Sequence, residues 1–320
     1  MTDQAEAAAL RPSALAWVSR HLEIGERVLK TEALHGGITA EMRKLTIVKR
    51  EGATRDLVLR TYTDPYFVER AEGLLSREAR ALSLLAETGV LAPALVAVDP
   101  TGAKCEYPSL LMTHVAGRTI LDDEGLEARV PLLARQLLAI HRLQPAKRPP
   151  VYETLTTADT VVIPKCADTA TWAAAIDVIR KPVPPYRGRF LHRDFQPGNV
   201  LFDVSSRWPA GVRLVGVIDW AGASWGPVDL DVAHCCTSLA LLHGPAWGLR
   251  FAEAYEEAGG VLAANPSDRL YWLVRDGLAS SEEVKQVSEP WRQAGRTELK
   301  TQAIEERLNA YVAGLMTALG

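Results

Sequence analysis

The chain has 320 residues, of which 48% are hydrophobic and 23% are charged, as expected for a folded globular protein rather than a disordered one. Its formal net charge of −3 argues against a broad basic surface for nucleic acid. No apolar run approaches the ~20 residues of a membrane helix, and the amino terminus lacks the pattern of a signal peptide. Four cysteines without a C-x-x-C pair favour a reducing, cytoplasmic setting.

Strands and a single long helix dominate the predictions for the first half. Residues 12–22 carry Leu15, Val18 and Leu22 at the spacing of an amphipathic helix. Beyond them, alternating or β-branched apolar positions predict five strands, and one helix with an apolar stripe, capped by Gly89, lies between the third and fourth. The strands are predicted at 28–34, 42–50, 56–62, 94–99 and 108–115, and the helix at 70–89. This pattern predicts a five-stranded antiparallel sheet with one helix inserted.

The second half of the chain is predicted to be mainly helical. Residues 144–165 form a Pro- and Thr-rich connector without clear periodicity. A polar loop follows between two short apolar runs, and residues 214–219 supply the strand expected to pair with them. The predicted helices cover 126–143, 229–244, 247–260, 267–278 and 298–319.

The polar loop, FLHRDFQPGNVLF, places a carboxylate and an amide close together. Asp194 and Asn199 lie in this loop, and Asp219 ends a strand about twenty positions later. Carboxylate and amide oxygens suit Mg²⁺, which is usually held by only one or two protein ligands, with phosphates and water completing its shell. A further carboxylate can take a proton from an attacking hydroxyl. These groups are the ones that phosphoryl transfer from a metal–nucleotide complex requires.

The loop also carries a known motif. HRDFQPGN fits the kinase catalytic-loop pattern H-x-D-x-x-x-x-N, and with GVIDW downstream the chain resembles the aminoglycoside phosphotransferase and choline-kinase-like family. The resemblance runs from Leu34 to about His234. It implies an α+β, bilobal, protein-kinase-like fold, with a nucleotide-binding lobe over 1–115 and a catalytic and substrate-binding lobe over 116–320.

The resemblance assigns roles to the loop residues. It implies that Asp194 is the catalytic base, that Asn199 binds Mg²⁺, and that Asp219 bridges Mg²⁺ to the β- and γ-phosphates. His192 would brace the loop. The run after Asp219 resembles the family segment D-W-x-x-x-x-x-G-x-x-x-x-D-L, and Asp229 is expected to begin a helix there and to accept backbone N–H bonds from the catalytic loop.

Other positions resemble the family's nucleotide site. HGGITAEM resembles its phosphate loop, in which Gly36 and Gly37 let backbone N–H groups approach phosphate and Thr39 adds a hydroxyl. Arg60 stands where kinases have the phosphate-binding lysine. Glu78 is expected to pair with Arg60, in preference to Glu72.

The stretch PSLLMTHVAG resembles the hinge between kinase lobes. Met112 would lie at the back of the adenine pocket, and the backbones of Thr113 and Val115 would hydrogen-bond the adenine edge. The sequence departs from the family at Arg193, where many relatives have glycine, and at Gln196, where His or Lys is frequent. No role for Gln196 follows from the sequence.

These features predict a cytoplasmic small-molecule kinase, monomeric or homodimeric, that uses Mg²⁺ and ATP or GTP and binds neither nucleic acid nor membrane. A protein kinase is disfavoured because only ten positions separate Asp219 from Asp229, too few for an activation segment. A non-catalytic nucleotide-binding protein is disfavoured because Asp194, Asn199 and Asp219 are all present.

The acceptor is expected to be an aminoglycoside or similar antibiotic, with macrolides, choline, homoserine and sugars as alternatives. Cationic antibiotics are bound by carboxylates, and the C-terminal region is rich in them, although acidic helix residues are mostly solvated. The tryptophans of this region could instead line an apolar acceptor pocket or fill a core. The carboxylates are Asp231, Glu253, Glu256, Glu257, Asp268, Asp276, Glu282 and Glu283, and the tryptophans are Trp225, Trp247, Trp272 and Trp291.

Overall fold

A computed structural model describes residues 10–34, 39–154, 156–203 and 211–319. The chain divides into two compact units. Unit 1 comprises Met1–Ala116 and Ile218–Gly222, and unit 2 comprises Gly117–Val217 and Ala223–Gly320. The short segment that carries Asp219 therefore packs with the first unit, although its neighbours in sequence belong to the second.

Unit 1 is built on an antiparallel sheet of five strands in the order β1-β2-β3-β5-β4 among the described residues. Pairing places Arg60 of the central strand between Met42 on one side and Leu110 on the other. A residue of a central strand has a neighbouring strand on both sides, and this fixes the position of Arg60. The strands are β1 Arg27–Leu34, β2 Glu41–Val48, β3 Thr54–Thr61, β4 Leu95–Asp99 and β5 Ser109–Thr113.

Two helices accompany this sheet. Helix α1, Pro12–Ser19, buries Trp17 and Val18 in the sheet's hydrophobic core. Helix α2, Pro65–Leu85, begins five residues earlier than predicted, because the Asp64 side chain accepts a bond from the Tyr66 N–H and Pro65 occupies the first turn. The prediction that Gly89 caps this helix is wrong, since its C-cap is Ala86.

Helices make up most of unit 2. The helix at 169–180 was not predicted, although Asp168 caps it and Trp172, Ile176 and Ile179 form a buried helical stripe. The predicted helix at 267–278 continues to Gln293. In the described residues the helices are α3 Leu126–His141, α4 Thr169–Arg180, α5 Val228–His243, α6 Pro245–Glu257, α7 Pro266–Gln293 and α8 Thr301–Leu319.

Helix α5 forms the centre of unit 2. Twelve of its residues are buried, including Cys235 and Cys236, as is typical of a helix that is covered on all sides. Polar groups on this helix are therefore held in fixed positions, and two of them, Asp231 and His234, face the polar loop. None of the helices in the described ranges is long and apolar enough to cross a membrane.

The polar loop joins two small strand pairs. Strand β6, Arg189–Leu191, pairs with β9, Ser224–Gly226, whereas β7, Val200–Asp203, pairs with β8, Arg213–Val217. The two apolar runs around the loop were expected to lie together with residues 214–219 in one set of strands. Instead, a 3₁₀ turn at Pro197–Asn199 redirects the chain, so that each run joins a different pair.

Candidate active site

The residues His192–Asn199, called the catalytic loop below, hold the Asp194 carboxylate with their own amides. The Asn199 Nδ2 donates to Asp194 Oδ2 at 2.7 Å and to the Asp194 carbonyl at 2.9 Å. The Gln196 Nε2 donates to Asp194 Oδ1 at 2.9 Å. Gln196, for which no role follows from the sequence, therefore fixes the orientation of Asp194 together with Asn199.

Two further side chains, His234 and Asp276, complete this cluster and were not predicted as site residues. The His234 Nε2 lies 3.0 Å from Asp194 Oδ1, and its Nδ1 lies 3.2 Å from Asp276 Oδ1. Burial would raise the pKa of Asp194, but hydrogen bonds from His234 and Gln196 outweigh it and leave that pKa below its ordinary value. The Asp194 side chain remains 39% exposed, so it is both oriented and accessible.

Asp231 braces the catalytic loop from helix α5. It is fully buried, and its carboxylate accepts the backbone N–H of His192 at 2.7 Å and that of Arg193 at 2.8 Å. His141 lies 3.2 Å from the same carboxylate. The fully buried His192 contributes from inside the loop, because its Nδ1 accepts the Asp194 N–H at 3.2 Å.

The prediction that Asp229 accepts these loop bonds is wrong. Asp229 instead accepts the Ala263 N–H at 2.9 Å. Residues two apart on a helix point about 200° apart, so Asp229 and Asp231 face opposite ways and only Asp231 meets the loop. The sequence contained this information. The family segment has four residues between its glycine and its aspartate, and four residues separate Gly226 from Asp231.

The backbone of Arg193 explains a departure seen in the sequence. Its φ is 75°, a left-handed value that glycine adopts freely and that costs other residues free energy. Glycine is the residue that the family resemblance leads one to expect at this place. The conformation lets the Arg193 N–H and the His192 N–H converge on the same carboxylate, so the strained backbone is held by Asp231.

A second cluster, centred on Arg60, lies in unit 1. The Arg60 Nη1 donates to Glu78 Oε2 at 2.8 Å and to Asp219 Oδ1 at 3.0 Å. Burial lowers the pKa of Arg60, but the charges of Glu78 and Asp219 more than compensate and raise it above its ordinary value. Burial raises the pKa of Glu78, and Arg60 opposes that shift. The competing Glu72 is exposed.

Asp219 is presented on a strained turn. Its φ is 66°, and the turn is anchored where Arg77 Nε donates to the Ala221 carbonyl at 3.0 Å. The Asp219 side chain is one-third exposed, at 33%, whereas those of Arg60 and Glu78 are 7% and 1% exposed. Arg60 and Glu78 are thus buried and hold Asp219, which is the accessible residue of the three.

The remaining predicted nucleotide residues also belong to unit 1. Met112 is buried in β5, and the Thr113 N–H donates to the Ala94 carbonyl at 2.9 Å. The predicted adenine bond from the Thr113 backbone therefore does not extend to this N–H. Thr39 is half-buried. Gly36 and Gly37 lie outside the described residues.

Comparison with known proteins places this arrangement in a family. The model of the phosphotransferase enzyme family APH matches residues 37–267. The chain belongs to the phosphotransferase enzyme family. It is a phosphotransferase that acts on an alcohol group of a small molecule. No curated protein matches the chain.

Solved structures confirm the predicted α+β, kinase-like fold of this phosphotransferase. Macrolide 2′-phosphotransferase type I is 17% identical with a TM-score of 0.57, over 96% of this chain and 97% of that one. Aminoglycoside-3′-phosphotransferase of type VIII is 20% identical with a TM-score of 0.53, over 82% and 97%. A thermostable mutant of aminoglycoside phosphotransferase APH(4)-Ia, in ternary complex with ADP and hygromycin B, is 18% identical with a TM-score of 0.58, over 90% and 94%.

Asn199 in unit 2 and Asp219 in unit 1 each carry a side-chain oxygen of the kind that Mg²⁺ prefers. The described residues contain no group of three or more His, Cys, Asp or Glu that could hold a metal. The Asn199 amide donates its N–H bonds to Asp194, and this directs its oxygen away from that carboxylate. Asp219 engages Arg60 through Oδ1 alone, so its Oδ2 makes no bond to Arg60.

Most of the carboxylates considered for a cationic acceptor are already paired. Asp231 pairs with His141 and Asp276 with His234. The helix α6 carboxylates bind arginines, in the pairs Arg250–Glu253, Arg250–Glu257 and Arg269–Glu256. The side chain of Glu283 lies outside the described residues. Asp268 and Glu282 are left without an ion pair among the contacts of the described residues.

Proposed function

We propose that this phosphotransferase transfers the γ-phosphate of ATP to a hydroxyl of a small acceptor, with Asp194 as the base. The observation that carries the proposal is the Asp194 carboxylate, which is 39% exposed yet held by Gln196, Asn199 and His234. Such a carboxylate can orient an acceptor hydroxyl and receive its proton as the phosphoryl group is transferred. Its lowered pKa keeps it ionised at neutral pH.

The Arg60 cluster would bind the nucleotide. Arg60 is a permanent cation that can grip phosphate oxygens, and its buried partner Glu78 keeps it in place at 2.8 Å. Mg²⁺, bound by Asp219 and Asn199, would neutralise charge on the phosphates. ATP is favoured over GTP as the donor because a structural neighbour binds ADP. Free cysteines agree with a cytoplasmic enzyme.

An aminoglycoside or similar antibiotic is the first candidate acceptor. It is supported by structural neighbours named for aminoglycosides, and a chain with this activity would confer antibiotic resistance. The catalytic geometry is compatible with any accessible hydroxyl, so the acceptor must be selected elsewhere in unit 2. Asp268 and Glu282 would be available there to an ammonium group.

A weakly charged acceptor of macrolide type is the second candidate. It is favoured by the pairing of most carboxylates in the C-terminal region with arginines and histidines. It is favoured also by an aromatic cluster in unit 2, in which Tyr152, Tyr186 and Trp272 lie 5.9 to 6.3 Å apart between ring centroids. Tyr186 is 43% exposed and can offer an apolar face to a ligand.

A nucleotide-consumption screen tests the proposal. ATP and GTP would be offered with Mg²⁺ to the protein in the presence of aminoglycosides, macrolides, choline, homoserine and sugars. We expect one acceptor class to raise ADP release well above the acceptor-free rate and to yield a phosphorylated product by mass spectrometry. Acceleration by aminoglycosides alone selects the first candidate, and acceleration by macrolides alone selects the second. ADP release with no phosphorylated acceptor would contradict the proposal.

A further inference from the structure

Three side chains from three elements form a continuous line in unit 2. Asp194 comes from the catalytic loop, His234 from helix α5 and Asp276 from helix α7. The imidazole lies between the two carboxylates, at 3.0 Å from one and 3.2 Å from the other. Because each nitrogen of His234 meets an oxygen of an acid, the ring is held in one orientation by opposite charges on both sides.

Hydrogen-bond capacity divides the two oxygens of Asp194. A carboxylate oxygen has about two lone-pair directions. Oδ1 receives bonds from both Gln196 and His234, whereas Oδ2 receives one bond, from Asn199. Among the described residues, Oδ1 is therefore saturated and Oδ2 retains one free direction. An incoming hydroxyl can bond to Asp194 only through Oδ2 without displacing a donor.

A small cavity lies on the saturated side of the base. It encloses about 30 Å³ beside Gln196 and His234, and Ser238, Ser280 and Trp291 are among its other lining residues. A ligand pocket normally needs ~300 Å³ or more, so this cavity is large enough for a water molecule and not for a sugar ring. A sugar ring therefore does not reach Asp194 through this cavity, in agreement with Oδ2 as the reacting oxygen.

Asp276 is retained at a cost to stability. Its side chain is 12% exposed, and its Oδ2 has no hydrogen-bond partner among the described residues. An unpaired buried acceptor destabilises a fold, because it loses its hydrogen bonds to water and gains none in return. Its contact with His234 is a functional reason for keeping this carboxylate. The charged groups that face the imidazole are Asp194 and Asp276. Together they raise the pKa of His234 well above its ordinary value, although burial opposes them.

We propose that His234 is a positioning residue for phosphoryl transfer. Its Nε2–H, held in direction by Asp276, occupies Oδ1 of Asp194 and so presents Oδ2 to the acceptor hydroxyl. The proton released by that hydroxyl goes to Oδ2, and the bond from the hydroxyl oxygen to phosphorus forms as the bond from phosphorus to the leaving oxygen of ADP breaks. This inference rests on the proposed function.

Three variants test the positioning role. His234→Ala removes the donor to Oδ1, His234→Gln keeps an N–H donor at about the place of Nε2 but loses the bond to Asp276, and Asp276→Asn removes the carboxylate that holds the ring. Glu289→Gln, at an exposed position on the same helix α7, makes the same chemical change as an acid-to-amide control. Each protein would be measured for kcat, for KM of ATP and for unfolding.

We expect His234→Ala to lower kcat by about 10- to 100-fold, as for loss of other groups that orient a reacting side chain, with KM for ATP changed less than about threefold. His234→Gln should recover a substantial part of that loss, and Asp276→Asn should fall between the two. Glu289→Gln should match wild type. Unchanged kcat in His234→Ala would overturn the proposal. The proposal would also be overturned if His234→Ala and His234→Gln lost equal kcat together with equal amounts of folded protein. That result would show that His234 has a structural role only.

Nitrogen NMR of the imidazole keeps this inference separate from the proposed function. If wild-type protein phosphorylates no acceptor, the proposed function fails, and the spectra then decide the contact itself. At pH 7 we expect His234 to carry protons on both nitrogens, with the Nε2 signal shifted in Asp194→Asn and the Nδ1 signal shifted in Asp276→Asn. A neutral imidazole, or signals that neither variant changes, would overturn the arrangement.

Discussion

Asp194 and Asp219 are both accessible carboxylates beside strained backbone, yet they are held in different ways. Asp219 has φ 66° and is bound by the buried guanidinium of Arg60 at 3.0 Å. Asp194 follows Arg193, with φ 75°, and is bound by two neutral amides and the imidazole of His234. One carboxylate is matched to a permanent cation, and the other to donors that fix its direction.

This difference suits different tasks. A carboxylate that binds a metal must stay charged and in place, and Arg60, which no ordinary pH deprotonates, provides a constant partner. A carboxylate that accepts a proton must present one oxygen to its substrate, and the amides of Gln196 and Asn199 orient it together with His234. The predictions below test whether the two clusters can be disrupted separately.

Among the variants that separate the two clusters, the largest effect is expected from Asp219→Asn. The change removes the negative charge proposed to hold Mg²⁺ against the phosphates, and we expect kcat/KM for Mg·ATP to fall by about 10²- to 10³-fold. The dependence of the rate on Mg²⁺ concentration should move to higher concentration. Asp203→Asn, on an exposed carboxylate paired with Arg213, is the control and should behave as wild type. An unchanged Mg²⁺ dependence in Asp219→Asn would count against this role.

Glu78→Gln should affect stability more than chemistry. It removes one anion from the buried Arg60–Glu78 pair, and breaking such a pair costs about 3 kcal/mol or more, because the remaining charge stays buried. Urea unfolding would measure the loss. Glu72→Gln, which changes an exposed residue of the same helix α2, should alter stability by less than about 0.5 kcal/mol. Equal losses of stability in Glu78→Gln and Glu72→Gln would show that Glu78 does not hold Arg60 in a buried ion pair.

A smaller effect is expected from Asp231→Asn. The amide can accept at only one of the two positions where Asp231 now receives the His192 and Arg193 N–H groups. We expect a loss of about 1–3 kcal/mol in stability and a lower kcat, because the catalytic loop loses its brace. Asp229→Asn keeps an acceptor for the Ala263 N–H and should leave kcat unchanged. A larger kcat loss in Asp229→Asn would restore the role first predicted for that residue.

The smallest effect is a pH dependence of stability from His234. Because its pKa is raised in the folded state, its contribution is fully present below the unfolded pKa of about 6.5 and is lost as pH rises through the folded pKa. The stability difference between wild type and His234→Gln should therefore shrink on moving from neutral to alkaline pH. Denaturant melts across that range measure it, and a difference that grows with pH would contradict the charged imidazole.

The sequence predicted the parts of the site that lie close together in the chain. Asp194 and Asn199 share one loop with a motif, and Arg60 and Glu78 follow from their strand and helix. His234 and Asp276 were missed because they meet Asp194 only when helices distant in sequence pack together, and a single histidine on a helix gives no periodic signal. Asp229 was preferred to Asp231 because each aspartate is followed by an aliphatic residue. The helical pattern alone does not show which of the two faces the catalytic loop.

The fold shows the same limit. Residues with a strong period, such as the strands of the first sheet, were predicted to within a few positions. The pairing of β6 with β9 rather than with its neighbour β7 was not, because a three-residue turn at Pro197–Asn199 decides it. The start of α2 at Pro65 depends on the Asp64 cap, a local signal that was present in the sequence and was passed over in favour of the later apolar stripe.

The most direct test of the account is Asp194→Ala, measured for ATP binding and for phosphoryl transfer on the same sample with the acceptor found by the screen. If Asp194 is the base and the Arg60 cluster binds the nucleotide, transfer should fall by about 10²- to 10⁴-fold, while the Kd for Mg·ATP changes less than about threefold. Transfer at the wild-type rate would contradict the account. So would a loss of Mg·ATP binding as large as the loss of transfer.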